Sequence, residues 1–293
     1  MKIREMYETK KTVISFEVFP PKAHLPIEGV YETIEALQEE NPDFISVTYG
    51  AGGSSKGRTV EIATRLKQHY GIEALAHLTC ISSTKQEVAQ VMEQLKANGI
   101  ENILAMRGDI PQDPDFTFPS PLQYEYAKDL IGQIKAEGGF SIGAACYPEG
   151  HPECPSRARD ILNLKMKVEA GADFLITQLF FDNEVFYDFM EKLEIAGIDL
   201  PVSAGIMPCL NASQILRMKN LCGCEIPPKF MRIIRKYEHN PEALKEAGEA
   251  YAIGQIVDLM AWGVRGIHLY TMNRPDTTKR IMRSIGSIRE LSR

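Results

Sequence analysis

Short β-rich runs alternate with longer amphipathic ones along almost the whole chain, and this alternation constrains the fold more than any other feature. The β-rich runs are TVISFEVF (12–19), DFISVTYG (43–50), EALAHLTC (73–80), NILAMRG (102–108), FSIGAACY (140–147), DFLITQLF (173–180), PVSAGIM (201–207) and GIHLYTM (266–272). The first seven start roughly thirty residues apart, and the eighth follows after roughly sixty-five. Helical segments such as TVEIATRLKQHY, TKQEVAQVMEQLKANG and SRARDILNLKMKVEAG fill the gaps. Gly99 and Gly171 close two of them, because glycine best accepts the left-handed turn after a helix. The extra length before the last strand predicts an inserted helix, KFMRIIRKY, and then a second one with Asn240 as N-cap and Pro241 as first helical residue.

Eight β/α units in 293 residues, with no Pro/Gly/Ser linker and no internal sequence repeat, predict an α/β protein of the (β/α)8 TIM-barrel kind. We expect residues 1–293 to form a single domain with an inserted helix before the last strand. A doubly wound open sheet is the rival, and it would use fewer strands.

Composition removes several classes of function. Thirty-three Lys+Arg against thirty-nine Asp+Glu leave a net charge of −6, which argues against a dedicated binder of nucleic acid or anionic membrane. No apolar run approaches the ~20 residues of a membrane span. The start, MKIREMYETKKTVISF, is charged and lacks the apolar stretch of a signal peptide, so a cytoplasmic location is expected. In that reducing compartment the six cysteines are read as thiols, and only Cys222 and Cys224 are close, as C-G-C. That spacing matches no common zinc pattern, and no metal site is expected.

In a barrel of this kind the active site lies at the C-terminal strand ends. Those ends are polar here: Glu17, Thr48, His77, Asp109, Tyr147, Gln178 and Tyr270. Period-two alternation puts Ser15 and Glu17 on one strand face, in low dielectric, where burial raises a carboxyl pKa towards that of a general acid. The competing reading is a buried glutamate held by a structural Arg or Lys. Asp109 closes the turn Arg107-Gly108-Asp109, either at the mouth beside Glu17 or as a local Arg–Asp pair. His77 is either a satisfied core histidine or a ligand contact, and His151 lies in a Pro-rich loop. GAGGSSKG (50–57) follows a strand and precedes a helix, yet fits neither the dinucleotide fingerprint nor the Walker A pattern. The C-terminal RPDTTKRIMRSIGSIRELSR offers either a basic face for an anion or a solvated helix.

Taken in order, SFEVFPPK, VTYGAGG, HLTC, LAMRGD, YPEGHPE, ILNLKMK, ITQLFFD, GIMP and HLYTMNR resemble the bacterial type of methylenetetrahydrofolate reductase, from about residue 12 to 275. The resemblance implies a barrel holding FAD and a ping-pong reaction. NAD(P)H reduces FAD and leaves, and 5,10-methylenetetrahydrofolate is then reduced to 5-methyltetrahydrofolate. It implies that Glu17 is the general acid that opens the folate's five-membered ring to an iminium ion. Asp109 would lie near flavin and pterin, Gln178 would bond the folate, and Gln214 and Arg274 would contact its more distant parts. For FAD it implies Thr48, His77, Arg107, Gly108, Tyr126, Ala127, Tyr147, His151, Asp160, Asn163 and Lys167. The last three fall at i, i+3 and i+7 of one helix, on one face.

Two departures accompany the resemblance. Met166 replaces an Arg of some relatives beside Lys167, and Met218 replaces an aromatic that stacks on folate or nicotinamide. The resemblance also implies a homo-oligomer and no inhibition by S-adenosylmethionine, since no large regulatory region follows the barrel. Two other classes stay open: a flavin- and folate-binding subunit fed by a partner protein, and a metal- or Schiff-base-dependent barrel lyase using His77, His151 and Glu17.

Overall fold

The computed structural model describes residues 1–22, 24–49, 56–110 and 116–292. Eight parallel strands close into a barrel in chain order: β1 (Val13–Val18), β2 (Phe44–Val47), β3 (Glu73–Thr79), β4 (Asn102–Met106), β5 (Ser141–Cys146), β6 (Phe174–Thr177), β7 (Val202–Ile206) and β8 (Gly266–Tyr270). Each coincides with one of the eight β-rich runs, and β8 pairs back onto β1 with Glu17 opposite Tyr270. The open-sheet alternative is excluded by that closure.

The two faces of each strand serve different cores. Outward residues such as Ile14, Phe16, Val18, Ile45, Val47, Ile103 and Ile267 pack against the surrounding helices in one continuous apolar shell. Inward residues Val13, Phe44, Leu75, Leu104, Phe174 and Ile176 fill the lower barrel. Bulky inward rings need space opposite them. A β-carbon at Gly143 would stand 2.7 Å from the Phe174 ring, and one at Gly205 2.7 Å from the Tyr270 ring.

The bottom of the barrel is plugged by α1 (Ile3–Thr9), a helix that the sequence reading did not assign. It is seven residues long, too short for periodicity to declare it, and it buries Ile3, Met6 and Tyr7. The plug is polar where it meets the barrel: Ile3 N donates to Asn102 Oδ1 at 2.8 Å, and Tyr7 Oη shares a hydrogen bond with Ser203 Oγ at 2.8 Å. Tyr7→Phe is expected to cost about 1 kcal/mol in urea unfolding, because it strands the buried Ser203 hydroxyl. An unchanged midpoint would show that this bond contributes nothing net.

Helices connect the strands: α2 (Glu28–Gln38), α3 (Lys56–Gln68), α4 (Lys85–Ala97), α5 (Ala127–Glu137), α6 (Arg157–Glu169) and α7 (Asn183–Ile195). Gly99 and Gly171, beyond the ends of α4 and α6, have φ of +74° and +119°, the conformation expected of them. The long interval before β8 holds α8 (Ala212–Cys222), α9 (Pro228–Tyr237) and α10 (Pro241–Trp262). Thus the inserted KFMRIIRKY helix and its successor are present, and Asn240 Oδ1 accepts from Ala243 N at 3.2 Å as the expected cap. After β8 come α11 (Pro275–Ser284) and α12 (Gly286–Leu291). No described helix is long and apolar enough to cross a membrane.

Candidate active site

Glu17 is the last-but-one residue of β1, and its carboxylate sits among buried polar groups from three other strands. His77 Nε2 of β3 is 3.5 Å from Glu17 Oε2, and His268 Nε2 of β8 is 3.6 Å from it. Ser46 Oγ of β2 donates to Glu17 Oε2 at 3.4 Å. Beneath them Ser15 Oγ shares a 2.8 Å hydrogen bond with His268 Nδ1. His268 has no exposed surface and His77 is 5% exposed, whereas Glu17 keeps 18%, so the carboxylate is the part of this cluster that meets the mouth.

The electrostatics correct one expectation. Burial does push the Glu17 carboxyl up, but the hydrogen bond with His268, the electrostatic attraction to His77 and His268 and the Ser46 hydroxyl outweigh it and hold the carboxyl below its usual range. Among the described residues the partners of Glu17 are two imidazoles and a hydroxyl, not the structural Arg or Lys of the alternative reading. His77 moves the opposite way from a typical ion-pair partner: burial drives it down to about 4, against an attraction to Glu17 that favours its charge. It is therefore a neutral imidazole near pH 7, and its buried Nε2 has no hydrogen-bond partner among the described residues.

That depression has a consequence for stability. Below pH 6.5 an unfolded chain takes up a proton on His77 that the folded chain refuses until about pH 4. The lowered Glu17 acts in the same sense, so stability falls as pH drops. We expect the unfolding free energy to decline between pH 6.5 and 4 less steeply in His77→Gln than in the parent. Parallel slopes in urea titrations across that range would rule His77 out as the source.

The turn after β4 forms the next part of the rim. Gly108 has φ +84°, and a β-carbon there would lie 2.8 Å from Thr79 Cβ, so both backbone and space require glycine. Arg107 Nη1 donates to Glu153 Oε2 at 2.7 Å, tying this turn to the loop after β5. The pairing therefore goes to Glu153, not to Asp109 as the local-pair reading would have it. Asp109 is exposed, and its charge adds to burial in pushing up the Tyr147 phenol, to about 12, and the Cys222 thiol, to about 11.

One face of α6 lies along the β5 loop. Asp160 Oδ2 accepts from His151 N at 3.2 Å, Asn163 Nδ2 donates to Cys154 Sγ at 3.6 Å, and Lys167 Nζ donates to Ala145 O at 2.9 Å. Burial lowers the Lys167 ammonium, and no carboxylate lies within ion-pair distance of it among the described residues. The His151 ring stands edge-on to Tyr147 at 4.6 Å, which makes it part of a packed wall and not a free surface turn. Tyr126, 49% exposed, precedes α5, and Ala127 begins it.

The remaining sequence-predicted positions lie on the same rim, farther round. Gln178 follows β6, its Oε1 accepting from its neighbour Leu179 N at 2.8 Å. Gln214 is in the first turn of α8, and exposed Arg274 precedes α11. Thr48, the residue after β2, donates from N to Val18 O at 3.1 Å. Residues 50–55 of the Gly-rich loop lie outside the described residues. Met218 packs on an apolar cluster that includes Cys209, Cys222 and Cys224, and all six cysteines are free.

Sequence reasoning missed His268, Ser46, Thr271 and Asn273. Thr271 Oγ1 donates to Glu17 O at 2.5 Å, and the Asn273 amide bonds both backbone groups of Phe19. Alternation in GIHLYTM, which puts His268 and Tyr270 on one face, was the available signal. A groove of about 700 Å³ opens elsewhere, outside the barrel between α7, α9 and α10, but the convergent polar groups are at the mouth. No described set of three His, Cys, Asp or Glu residues could hold a metal ion.

A closed parallel barrel with a carboxylate between two buried imidazoles at the C-terminal ends of its strands has the layout in which barrel enzymes carry their active sites. The family model of methylenetetrahydrofolate reductase matches residues 2–286. 5,10-Methylenetetrahydrofolate reductase of Escherichia coli is 36% identical over 273 residues, covering 93% of this chain and 90% of that one. Methylenetetrahydrofolate reductase (NADH) 1 of Arabidopsis thaliana is 35% identical over 300 residues, covering 99% of this chain and 51% of that one. The chain thus spans about half the length of the plant relatives it matches. A Clostridium thermocellum protein described as binding two copies of 5-methyl-5,6,7,8-tetrahydrofolic acid shares the fold, with TM-score 0.69 at 13% identity over 99% of each chain. The chain belongs to the methylenetetrahydrofolate reductase family.

Proposed function

We propose that the chain reduces 5,10-methylenetetrahydrofolate to 5-methyltetrahydrofolate, with FAD as cofactor and NAD(P)H as electron donor. The observation that carries this reading is the carboxylate of Glu17 set between His77 and His268 at the barrel mouth. Relatives at 35–36% identity carry the reductase name, and a barrel of the same fold is described as a folate binder.

The residues present suit FAD. Lys167 is a half-buried lysine with no carboxylate in ion-pair distance among the described residues, a seat for a phosphate, and His77 offers a buried Nε2 with no hydrogen-bond partner among them. Along with these, Thr48, Arg107, Gly108, Tyr126, Ala127, Tyr147, His151, Asp160 and Asn163 would hold the cofactor around the rim. When bound, FAD supplies the two-electron carrier between nicotinamide and folate. The protein's own part is position and proton supply. Glu17 gives a proton to the folate and opens its five-membered ring to an iminium ion. Because the carboxyl is held low in the free chain, the folate must close over the mouth and exclude water to raise it, as desolvation does. Asp109 would hold the pterin, Gln178 the folate ring system, Gln214 and Arg274 its outer parts, with the Arg274 guanidinium facing an anionic tail. Six unbridged thiols suit the cytoplasm as its compartment.

The visible spectrum tests this directly. A flavin band that NADH or NADPH bleaches without oxygen, and that methylenetetrahydrofolate restores, is the expected result. A flavin band that neither nicotinamide bleaches would move the donor to a partner protein. No flavin, even after adding FAD, would overturn the reading.

A further inference from the structure

The backbone ladder between β8 and β1 ends at the pair Glu17–Tyr270. On the other side β1 stays paired with β2 through Val18–Val47, whereas on the β8 side Pro20 and Pro21, three and four residues on, bring no backbone N–H to extend the ladder. Side chains of the following loop continue the ladder. Thr271 Oγ1 donates to Glu17 O at 2.5 Å and accepts from Asn273 N at 3.2 Å. Asn273 Nδ2 donates to Phe19 O at 2.9 Å, and Phe19 N donates to Asn273 Oδ1 at 3.1 Å. One carboxamide thus pairs both backbone polar groups of Phe19, its oxygen accepting and its nitrogen donating.

The loop adopts a costly conformation to achieve this. Met272 and Asn273 have φ of +53° and +52°, a region that asparagine enters more readily than other non-glycine residues. The clip lies at the rim, where Phe19 is 39% exposed, so it is not explained by core burial. Arg274 N donates to Thr271 O at 2.9 Å and closes the same turn. We infer that Asn273 is a positioning residue for Glu17: it fixes the end of β1 and so the direction in which the carboxyl enters the mouth. It also joins the acid's strand to the turn that carries Arg274.

This inference rests on the proposed reductase chemistry, and its test separates the two. Asn273→Gly keeps the backbone conformation and deletes the amide. Asn273→Asp keeps the acceptor for Phe19 N and loses the donor to Phe19 O. In the FAD-loaded enzyme, both are expected to slow reoxidation by methylenetetrahydrofolate roughly 10- to 100-fold, the cost of misplacing a catalytic group. The pH profile of that step should shift, while flavin reduction by nicotinamide stays unchanged. Wild-type reoxidation with a wild-type pH profile in Asn273→Gly would overturn the inference, as would equal loss of both half-reactions. Crystal structures of parent and Asn273→Gly decide it independently of activity. Release of Phe19 with Glu17 moved off His77 and His268 supports positioning, and a carboxylate that keeps both contacts refutes it. A parent enzyme that methylenetetrahydrofolate does not reoxidise would sink the reductase reading and leave the crystallographic arm standing.

Discussion

Replacing Glu17 by glutamine is expected to slow reoxidation of the reduced flavin by methylenetetrahydrofolate by a factor on the order of 10²–10⁴, the range over which a positioned general acid acts. The amide is isosteric but has no acidic proton, so ring opening loses its donor while the strand end keeps its shape. Reduction by nicotinamide needs no proton from Glu17, and that half-reaction should change little. The substitution also removes the one charge that favours protonation of His77, so this imidazole stays neutral to still lower pH. Anaerobic stopped-flow measurement of the two half-reactions in turn gives the answer. Equal rates for parent and Glu17→Gln in the folate step would remove Glu17 from the chemistry. A matching fall in both steps would mean the cluster holds the mouth together and does not serve as the acid.

The barrel was legible because its repeating unit is local. Each strand announces itself by an apolar run, each helix by its period, and eight units leave little choice of topology. Glu17 was legible for a similar reason, as a carboxyl inside an apolar strand at a chemically important end. Its protonation behaviour was not. That depends on His268, some 250 residues away along the chain and beside Glu17 only because β8 closes onto β1. Alternation placed His268 and Tyr270 on one face, yet said nothing about what that face would meet. The α1 plug escaped for want of length, and its role depends on Asn102 and Ser203, supplied by strands far along the chain. The Asn273 clip is side chain to backbone, which no periodicity encodes. Arg107 shows the same limit: sequence adjacency left a local pair with Asp109 open, and only the fold, by bringing the loop after β5 alongside, presents Glu153 instead.

The second large effect is expected at Lys167, and it has opposite signs with and without cofactor. In the free chain Lys167 is half-buried, donates from Nζ to Ala145 O, and faces no carboxylate within ion-pair distance among the described residues. Burial opposes its charge most, Arg107 opposes it too, and Cys146 and Asp160 favour it without making up the difference. A partly desolvated cation in this state is a cost to the flavin-free fold that an anion can offset. Lys167→Met keeps most of the volume and removes the charge. It should therefore leave the flavin-free chain as stable as the parent or more so, and weaken FAD binding. Losing a charge-assisted bond of about 1.5–3 kcal/mol corresponds to a roughly 10- to 150-fold rise in Kd. The neighbouring Met166 makes the loss harder to offset, since no second cation stands there. FAD titration by flavin fluorescence, paired with urea unfolding of both proteins with and without FAD, reads the two signs separately. An unchanged Kd would move the phosphate seat elsewhere. A flavin-free variant less stable than the parent would show that the Ala145 bond, and not the waiting charge, is why a lysine occupies this position.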